Sequence, residues 1–274
     1  MAVRQVHTFS GGHVRHLERL VRADSPLRLR TLPVRFGIVE HAEGPIVVDT
    51  GYHPSLHQRL RGLGRVYPRV VPFTCTPDET VGARLHQLGY DADDVQGVFL
   101  THLHADHVGG LCDVPGAPIW VSPVAWRALR SGSRLDLVRH GFFAELVPED
   151  LLPRLRFVEP PPAGADLDDS ALDLLGDGSL GVVSLPGHAP GQIGLSVRGP
   201  DGQRALFVGD ATFSRGAVDT VQLPSPLFQA LVADDAAATR HSLARIREWL
   251  GQHPDLAILA AHAWEGPDEG TLWG

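Results

Sequence analysis

Four apolar, strand-like runs in this chain each lead into side chains able to ligate a metal. Gln96-Gly-Val-Phe-Leu100 runs directly into Thr101-His-Leu-His-Ala-Asp-His107, and Ser184-Leu-Pro-Gly leads to His188. Leu206-Phe-Val-Gly leads to Asp210, and Ile258-Leu-Ala-Ala to His262. Sites gather where strands end in loops, so a fold that aligns these runs brings their ends together. Each distant residue has an ordinary alternative. His188 suits a turn, Asp210 can cap the turn that follows it, and His262 fits a satisfied buried histidine. The cluster at 102–107 shifts the balance towards a shared site.

Within that cluster, His102, His104, Asp106 and His107 occupy alternating and adjacent positions after a buried strand. In a tight turn, His102 and His104 can face one ion while Asp106 and His107 face another. Imidazole nitrogen and carboxylate oxygen are ligands that zinc accepts, and a catalytic zinc keeps one position open for water. Gly109-Gly110 then lets the backbone turn away without a Cβ clash. Five histidines and two aspartates make enough ligands for two ions. Asp210 is the natural bridge, because a carboxylate can span ions roughly 3.5–4 Å apart.

The remaining chain reads as alternating strands and helices. Val34–Glu40 and Pro45–Asp49 form a strand pair joined at His41-Ala-Glu-Gly44. A short helix opens between Pro54 and Arg61, and a loop rich in Gly, Pro and Arg covers Gly62 to Cys75. Thr76, Pro77 and Glu79 announce a helix with a capping box, which Val81, Leu85 and Leu88 continue and Gly89 closes. Pro118–Val121 is a strand and Val124–Arg130 a helix; Glu159–Ala165 is a loop. Leu172–Leu175 and Leu180–Leu185 flank Gly176-Asp-Gly178 as a hairpin. Ile193–Val197, Ala205–Val208 and Leu256–Leu259 are further strands. Asp234 or Asp235 caps a helix whose Leu243, Ile246 and Leu250 share a face, ended by Gly251. This order allows two sheets face to face with helices outside, a four-layer αββα sandwich in the α/β class. Periodicity alone does not exclude a doubly wound sheet.

Length and charge narrow the function. A chain of 274 residues, 43% hydrophobic, suits one large globular domain over 1–274 with a substantial core. The net charge of −8 gives no electrostatic footprint for nucleic acid or an anionic membrane. All 24 basic residues are Arg, an expected result of GC-rich codon usage. Cys75 and Cys112 cannot build a disulfide framework and fit a reducing compartment. With no apolar leader and no run of the ~20 apolar residues that a bilayer needs, a soluble cytoplasmic protein is expected.

His102-Leu-His-Ala-Asp-His107, followed by His188, Asp210 and His262, resembles the metallo-β-lactamase superfamily. Within it the chain is most similar to the N-acyl homoserine lactonase branch, through Asp49-Thr-Gly-Tyr-His-Pro54, Leu185-Pro-Gly-His-Ala-Pro-Gly191 and Gly209-Asp-Ala211. The similarity runs from about Leu32 to His262. It implies the αββα metallo-β-lactamase fold and two zinc ions, which another divalent transition metal could replace. The implied ligand sets are His102/His104/His188 and Asp106/His107/His262, bridged by Asp210. It also implies a homodimer, with the 62–75 loop near the interface or the pocket. The best-known zinc β-lactamases carry Cys where Asp210 stands, and the flavin-linked diiron relatives carry Glu in place of His104. The lactonases carry a Tyr three residues after the bridging Asp, and here that position is Phe213, which cannot donate a hydrogen bond.

The expected chemistry is attack by a metal-bridging hydroxide on a lactone or related carboxylic ester, because metal binding lowers the pKa of water to roughly 7. Asp106 is the candidate to orient the nucleophile and pass its proton to the leaving group. Asp49 either fixes a ligand histidine through its second nitrogen or stabilises the turn before Thr50-Gly51. Tyr52, Phe73 and Phe213 either line an acyl pocket or pack the core. The rivals are a thioesterase of the glyoxalase II kind, a phosphotriesterase on the same metals, and a non-catalytic metal-binding scaffold. The substrate is a small molecule in every catalytic version. Absence of Lys weakens the thioesterase, and the complete ligand set argues against the scaffold.

Overall fold

Short β-branched runs bounded by Gly, Pro and Asp become strands in the computed structural model, which describes residues 2–21, 25–147, 149–162, 172–231, 233–263 and 269–273. The strands are β1 (Val3–Leu17), β2 (Leu29–His41), β3 (Gly44–Val48), β4 (Phe73–Thr74), β5 (Gly97–Phe99), β6 (Ile119–Val121) and β7 (Leu155–Phe157). They continue with β8 (Leu172–Asp173), β9 (Leu180–Ser184), β10 (Ile193–Arg198), β11 (Arg204–Gly209), β12 (Ala257–Ala260) and β13 (Gly270–Leu272). One sheet runs β13-β1-β2-β3-β5-β6-β7, with β4 paired to β1, and the other runs β12-β11-β10-β9-β8. β3, β5, β6 and β7 are mutually parallel, as are β11 and β12, so their connections cross over outside the sheets.

A period of two sorts the apolar side chains into layers. Ile46 and Val48 of β3 and Phe99 of β5 meet Val182, Leu195 and Phe207 of the second sheet in the central layer. Val47 and Val98 face the other way, towards Val81 and Leu85 of helix Val81–Gln87 and Ala125 and Leu129 of helix Pro123–Ser131. On the opposite flank, Leu206 and Val208 of β11 pack on Leu243, Ile246 and Trp249 of helix Ala236–Gln252. Each fully buried large side chain there contributes roughly 1.5–3 kcal/mol. The architecture is therefore αββα. Among the described residues, no helix is long and apolar enough to cross a membrane.

The expected elements appear with shifted bounds. The strand pair at 34–49 is β2 and β3, and Gly176 and Gly178 turn the β8–β9 hairpin at positive φ. The 62–75 segment is more ordered than a plain loop, holding a 3-10 turn Gly62–Val66, a helix Tyr67–Val70 and β4. Thr76 and Glu79 form the expected capping box, but on a 3-10 turn, Pro77–Glu79. The helix proper starts after Thr80, whose hydroxyl accepts from Ala83 N. Asp235, not Asp234, caps the long helix, which continues through Gly251 to Gln252 because Gly251 keeps helical geometry. Residues 159–162 are irregular as expected; the rest of the 159–165 loop lies outside the described residues.

Gly37 shows how tightly the sheets meet. A Cβ there would stand 2.3 Å from Cε1 of the buried Phe207 ring. Gly37→Ala is expected to lower stability by about 1–3 kcal/mol through overpacking. Urea denaturation at fixed metal content measures it, and an unchanged midpoint would mean that Phe207 has room to retreat.

Candidate metal centre

The second sheet supplies three side chains at its strand ends. His188 follows β9, Asp210 follows β11 and His262 follows β12. The first sheet supplies the rest: β5 ends at Phe99, Leu100 and Thr101 follow, and a single helical turn, Ala105–Val108, carries Asp106 and His107. Backbone bonds stitch the two edges together, from Ile193 N to Thr101 O (3.0 Å) and from Arg35 N to Ala261 O (2.8 Å). Gly209 has φ +53, and a Cβ there would lie 2.6 Å from Thr101 Oγ1. Only a glycine lets β11 come this close before Asp210.

All seven predicted ligands converge, in two groups. Ligand atoms of His102, His104, His188 and Asp210 lie within 4.8 Å of one another, and so do those of Asp106, His107 and His262. His104 Nδ1 stands 3.0 Å from His102 Nε2 and 3.1 Å from His188 Nε2. Atoms bound to one tetrahedral zinc at 2.0–2.1 Å stand roughly 3.3 Å apart, so this trio is close to ligand spacing. In the other group, His262 Nε2 is 3.0 Å from Asp106 Oδ2. Asp210 touches both groups: its Oδ1 is 3.4 Å from His107 Nε2, and its Oδ2 is 3.2 Å from His188 Nε2 and 3.5 Å from His262 Nε2.

The outward ring nitrogens explain which way each imidazole faces. His107 Nδ1 donates to Asp49 Oδ2 at 2.8 Å, and His262 Nδ1 donates to Pro33 O at 3.0 Å. The Thr101 hydroxyl donates to Asp49 Oδ2 (2.8 Å) and accepts from His102 Nδ1 (3.1 Å). Each bond holds the outward nitrogen, so that a bound cation in place of the inward proton would meet the Nε2 lone pair. Asp49 also accepts from Thr101 N at 2.8 Å. It sits at φ 58, a left-handed position that costs a non-glycine residue energy, directly before Thr50-Gly51. Both expectations for Asp49 therefore describe the same residue. His104 is reversed, with Nδ1 inward and a buried Nε2.

Electrostatics separates the groups. Burial, reinforced by neighbouring imidazoles, holds His102 and His104 well below the ordinary histidine range, and His188 is also lowered. Burial also acts to lower His107 and His262, but the carboxylates of Asp49, Asp210 and Asp106 around His107, and of Asp210 and Asp106 around His262, raise both. Burial opposes ionisation of Asp106 and Asp210, yet the charged histidines hold both below the usual carboxylate range. Among the described residues, His104 Nε2, His107 Nε2 and Asp210 Oδ1 are buried without a hydrogen-bond partner. Such orphaned atoms call for an explanation. Cations between the groups would satisfy the two that face inward, and the N/O donor set suits zinc.

The aromatic candidates divide. Phe213 lies beside the centre, stacked on His262 at 5.9 Å and edge-on to His188 at 6.1 Å, and borders a cavity shared with His188, Asp210, Val21 and Phe228. Its free volume is about 20 Å³, room for about one water. Tyr52 and Phe73 line no part of that cavity. Tyr52 is fully buried, its ring stacks on Phe73 at 4.2 Å and its hydroxyl meets Tyr67 Oη at 2.9 Å. These two pack the core, where β4 (Phe73–Thr74) folds back to pair with β1.

Sequence reasoning gave no role to Thr101, Pro33 or His16. Thr101 had a signal, its position between strand and cluster, whereas a backbone carbonyl such as that of Pro33 leaves none. His16 lies on β1 within electrostatic reach of His262, Asp106 and Asp210. Burial, then the positive His262, lowers it to about 4, so it is neutral at neutral pH.

Comparison with known proteins agrees with this geometry. A family model described as the metallo-beta-lactamase superfamily matches residues 29–248. A probable metallo-hydrolase of Mycobacterium tuberculosis is 32% identical over 239 residues, covering 82% of this chain and 73% of its own. The N-acyl homoserine lactonase AttM of Azorhizobium caulinodans is 29% identical over 244 residues, 85% of this chain and 84% of its own. Among solved structures, an N-acyl homoserine lactone hydrolase with N-hexanoyl-L-homoserine at its catalytic metal centre superposes with a TM-score of 0.76 at 22% identity. The match spans 97% of this chain and 95% of that one.

Proposed function

The chain belongs to the metallo-beta-lactamase superfamily, and from that membership we propose that it is a dinuclear-zinc hydrolase opening a lactone or a related carboxylic ester. Its relatives make it a metal-dependent hydrolase. The observation that carries the finer reading is Asp210, whose two oxygens face both ligand groups.

His102, His104 and His188 would hold one ion, Asp106, His107 and His262 the other, and Asp210 both. When bound, the pair supplies a water activated near neutral pH and polarises the substrate carbonyl. The protein does the rest. Asp106 Oδ2 is engaged by His262, leaving Oδ1 to orient the attacking water and carry its proton to the departing alkoxide oxygen. The products are a carboxylic acid and an alcohol, which in a lactone are one molecule. Phe213 and Phe228 meet edge-on at 5.7 Å in the cavity beside His188 and Asp210, and would offer a bound ester an apolar wall there.

A pH-indicator assay over lactones, aryl esters, thioesters and phosphotriesters tests the substrate class, with lactones or aryl esters expected to turn over fastest. Preference for thioesters or phosphotriesters would replace the ester assignment while keeping the centre. Metal analysis after gel filtration is expected to give two tightly held zinc-like ions per chain; none or one would remove the dinuclear reading.

Asp49 offers a separate check. In Asp49→Asn, an amide N–H must face one of the three donors that the carboxylate now accepts. Metal affinity in a chelator competition is expected to fall roughly 10–100-fold, the usual cost of losing an outer partner. An unchanged affinity would reduce Asp49 to a turn residue.

A further inference from the structure

We infer that His53, Cys112 and Asp113 form a further metal site, separate from the seven-residue centre, for one zinc-like divalent cation. A histidine ring nitrogen, the Cys112 thiol sulfur and an Asp113 carboxylate oxygen lie within 4.8 Å of one another. His53 Nε2 and Asp113 Oδ1 are already 3.2 Å apart. Donors on one tetrahedral zinc, at about 2.0 Å for N and O and 2.3 Å for S, stand roughly 3.3–3.5 Å apart. Closing the set needs only a small side-chain adjustment.

The backbone holds the three donors in place. Thr50 Oγ1 donates to His107 O (2.8 Å) and accepts from Gly110 N (3.0 Å), which locks the loop before His53 to the loop before Cys112. Asp113 Oδ2 accepts from Gly82 N at 3.0 Å, which aims Oδ1 at His53. Arg59 Nη1 donates to Gly109 O and to Cys112 Sγ at 3.2 Å; burial raises the Cys112 thiol overall, the Arg59 charge opposes that, and the cation itself must displace the proton.

His53 Nδ1 accepts from Ser55 N at 3.1 Å and lies 2.7 Å from Ser55 Oγ, so the ring proton sits on Nε2. Binding a cation there moves it to Nδ1, where Ser55 Oγ accepts it in place of the amide contact. On binding, the thiol proton of Cys112 leaves to solvent and nothing is oxidised. Mixed imidazole, thiolate and carboxylate donors select zinc and its neighbours over calcium or magnesium, which take oxygen ligands. The exposed Cys112 leaves the fourth position to water. A plain His53–Asp113 ion pair accounts for two of these groups; the sulfur, held by Arg59 at 3.2 Å, also lies 3.9 Å from Asp113 Oδ1, which places all three donors around one point.

Sulfur makes the test specific, because the seven-residue centre contains none. Metal-free protein is titrated with cobalt(II), and the thiolate-to-cobalt charge-transfer band is followed in the near ultraviolet. The expected result is a band that grows as the ion beyond the two of the seven-residue centre binds, reaches full height at three ions per chain, survives Cys75→Ser and vanishes in Cys112→Ser. His53→Ala, folded by circular dichroism, is expected to weaken that binding at least about tenfold, the low end for loss of even an outer partner. No band in the folded protein, a band that persists in Cys112→Ser, or unchanged affinity in His53→Ala would each overturn the site. None of these readouts depends on lactone hydrolysis.

Discussion

Asp210→Asn is expected to lower turnover of the best ester substrate about 10³-fold and to cut tightly bound metal from two ions per chain towards one. The carboxylate is almost fully buried and its oxygens face imidazoles of both groups. An amide of the same shape keeps one acceptor and loses the charge. Several kcal/mol of charge stabilisation at the reacting carbonyl then disappears, and each ~1.4 kcal/mol is a factor of ten in rate. In the metal-free state the variant is expected to be less stable as well, because His107 and His262 lose a buried counter-charge. Steady-state kinetics with metal analysis on the folded variant decides the matter. Two retained ions and a rate within tenfold of the parent would show that Asp210 does not bridge.

Phe213→Tyr is expected to raise lactone kcat/KM by roughly 10–10²-fold. A well-placed donor at a developing oxyanion is worth about 10²–10³ in rate, and a hydroxyl added to an existing ring reaches only part of that. The hydroxyls nearby are already engaged. Thr212 Oγ1 donates to Ser214 O, Ser214 Oγ caps the helix Arg215–Thr220, and Tyr52 is tied to Tyr67. The Phe213 ring, stacked on His262 and edge-on to His188, lies within 6.1 Å of both ligand groups, so a new hydroxyl is expected to come within reach of the centre. A rate that stays level or drops would mean that Phe213 belongs to a substrate class needing no donor there.

Much of this was legible because the chemistry is local. A buried strand announces itself in Gly97-Val-Phe99, and a ligand cluster in His102–His107, within a few residues each. Period-two runs such as Leu206–Val208 gave the layers. Long-range partners were not legible. Asp49 and Thr101 are 52 positions apart, and nothing in either segment specifies that the carboxylate accepts both the amide and the hydroxyl. The inverted ring of His104 was hidden for the same reason, since spacing does not say which nitrogen faces inward. The longest strand, β1, went unassigned because Gly11-Gly12 interrupts its alternation; the structure places a register shift between Ser10 and His13. Tyr52 and Phe73 looked like pocket residues because a large aromatic side chain carries no mark of which surface it meets.

The ligands are drawn from both sheets, four from the loop after β5 and three from the ends of β9, β11 and β12. Ions held among them would act as a clasp on the sandwich, tying one half to the other at a single edge. At a thousandfold excess over its dissociation constant, one such ion adds about 4 kcal/mol to the folded state. Stripping the ions would therefore do more than silence catalysis: it would unfasten the two halves along the edge where both contribute ligands.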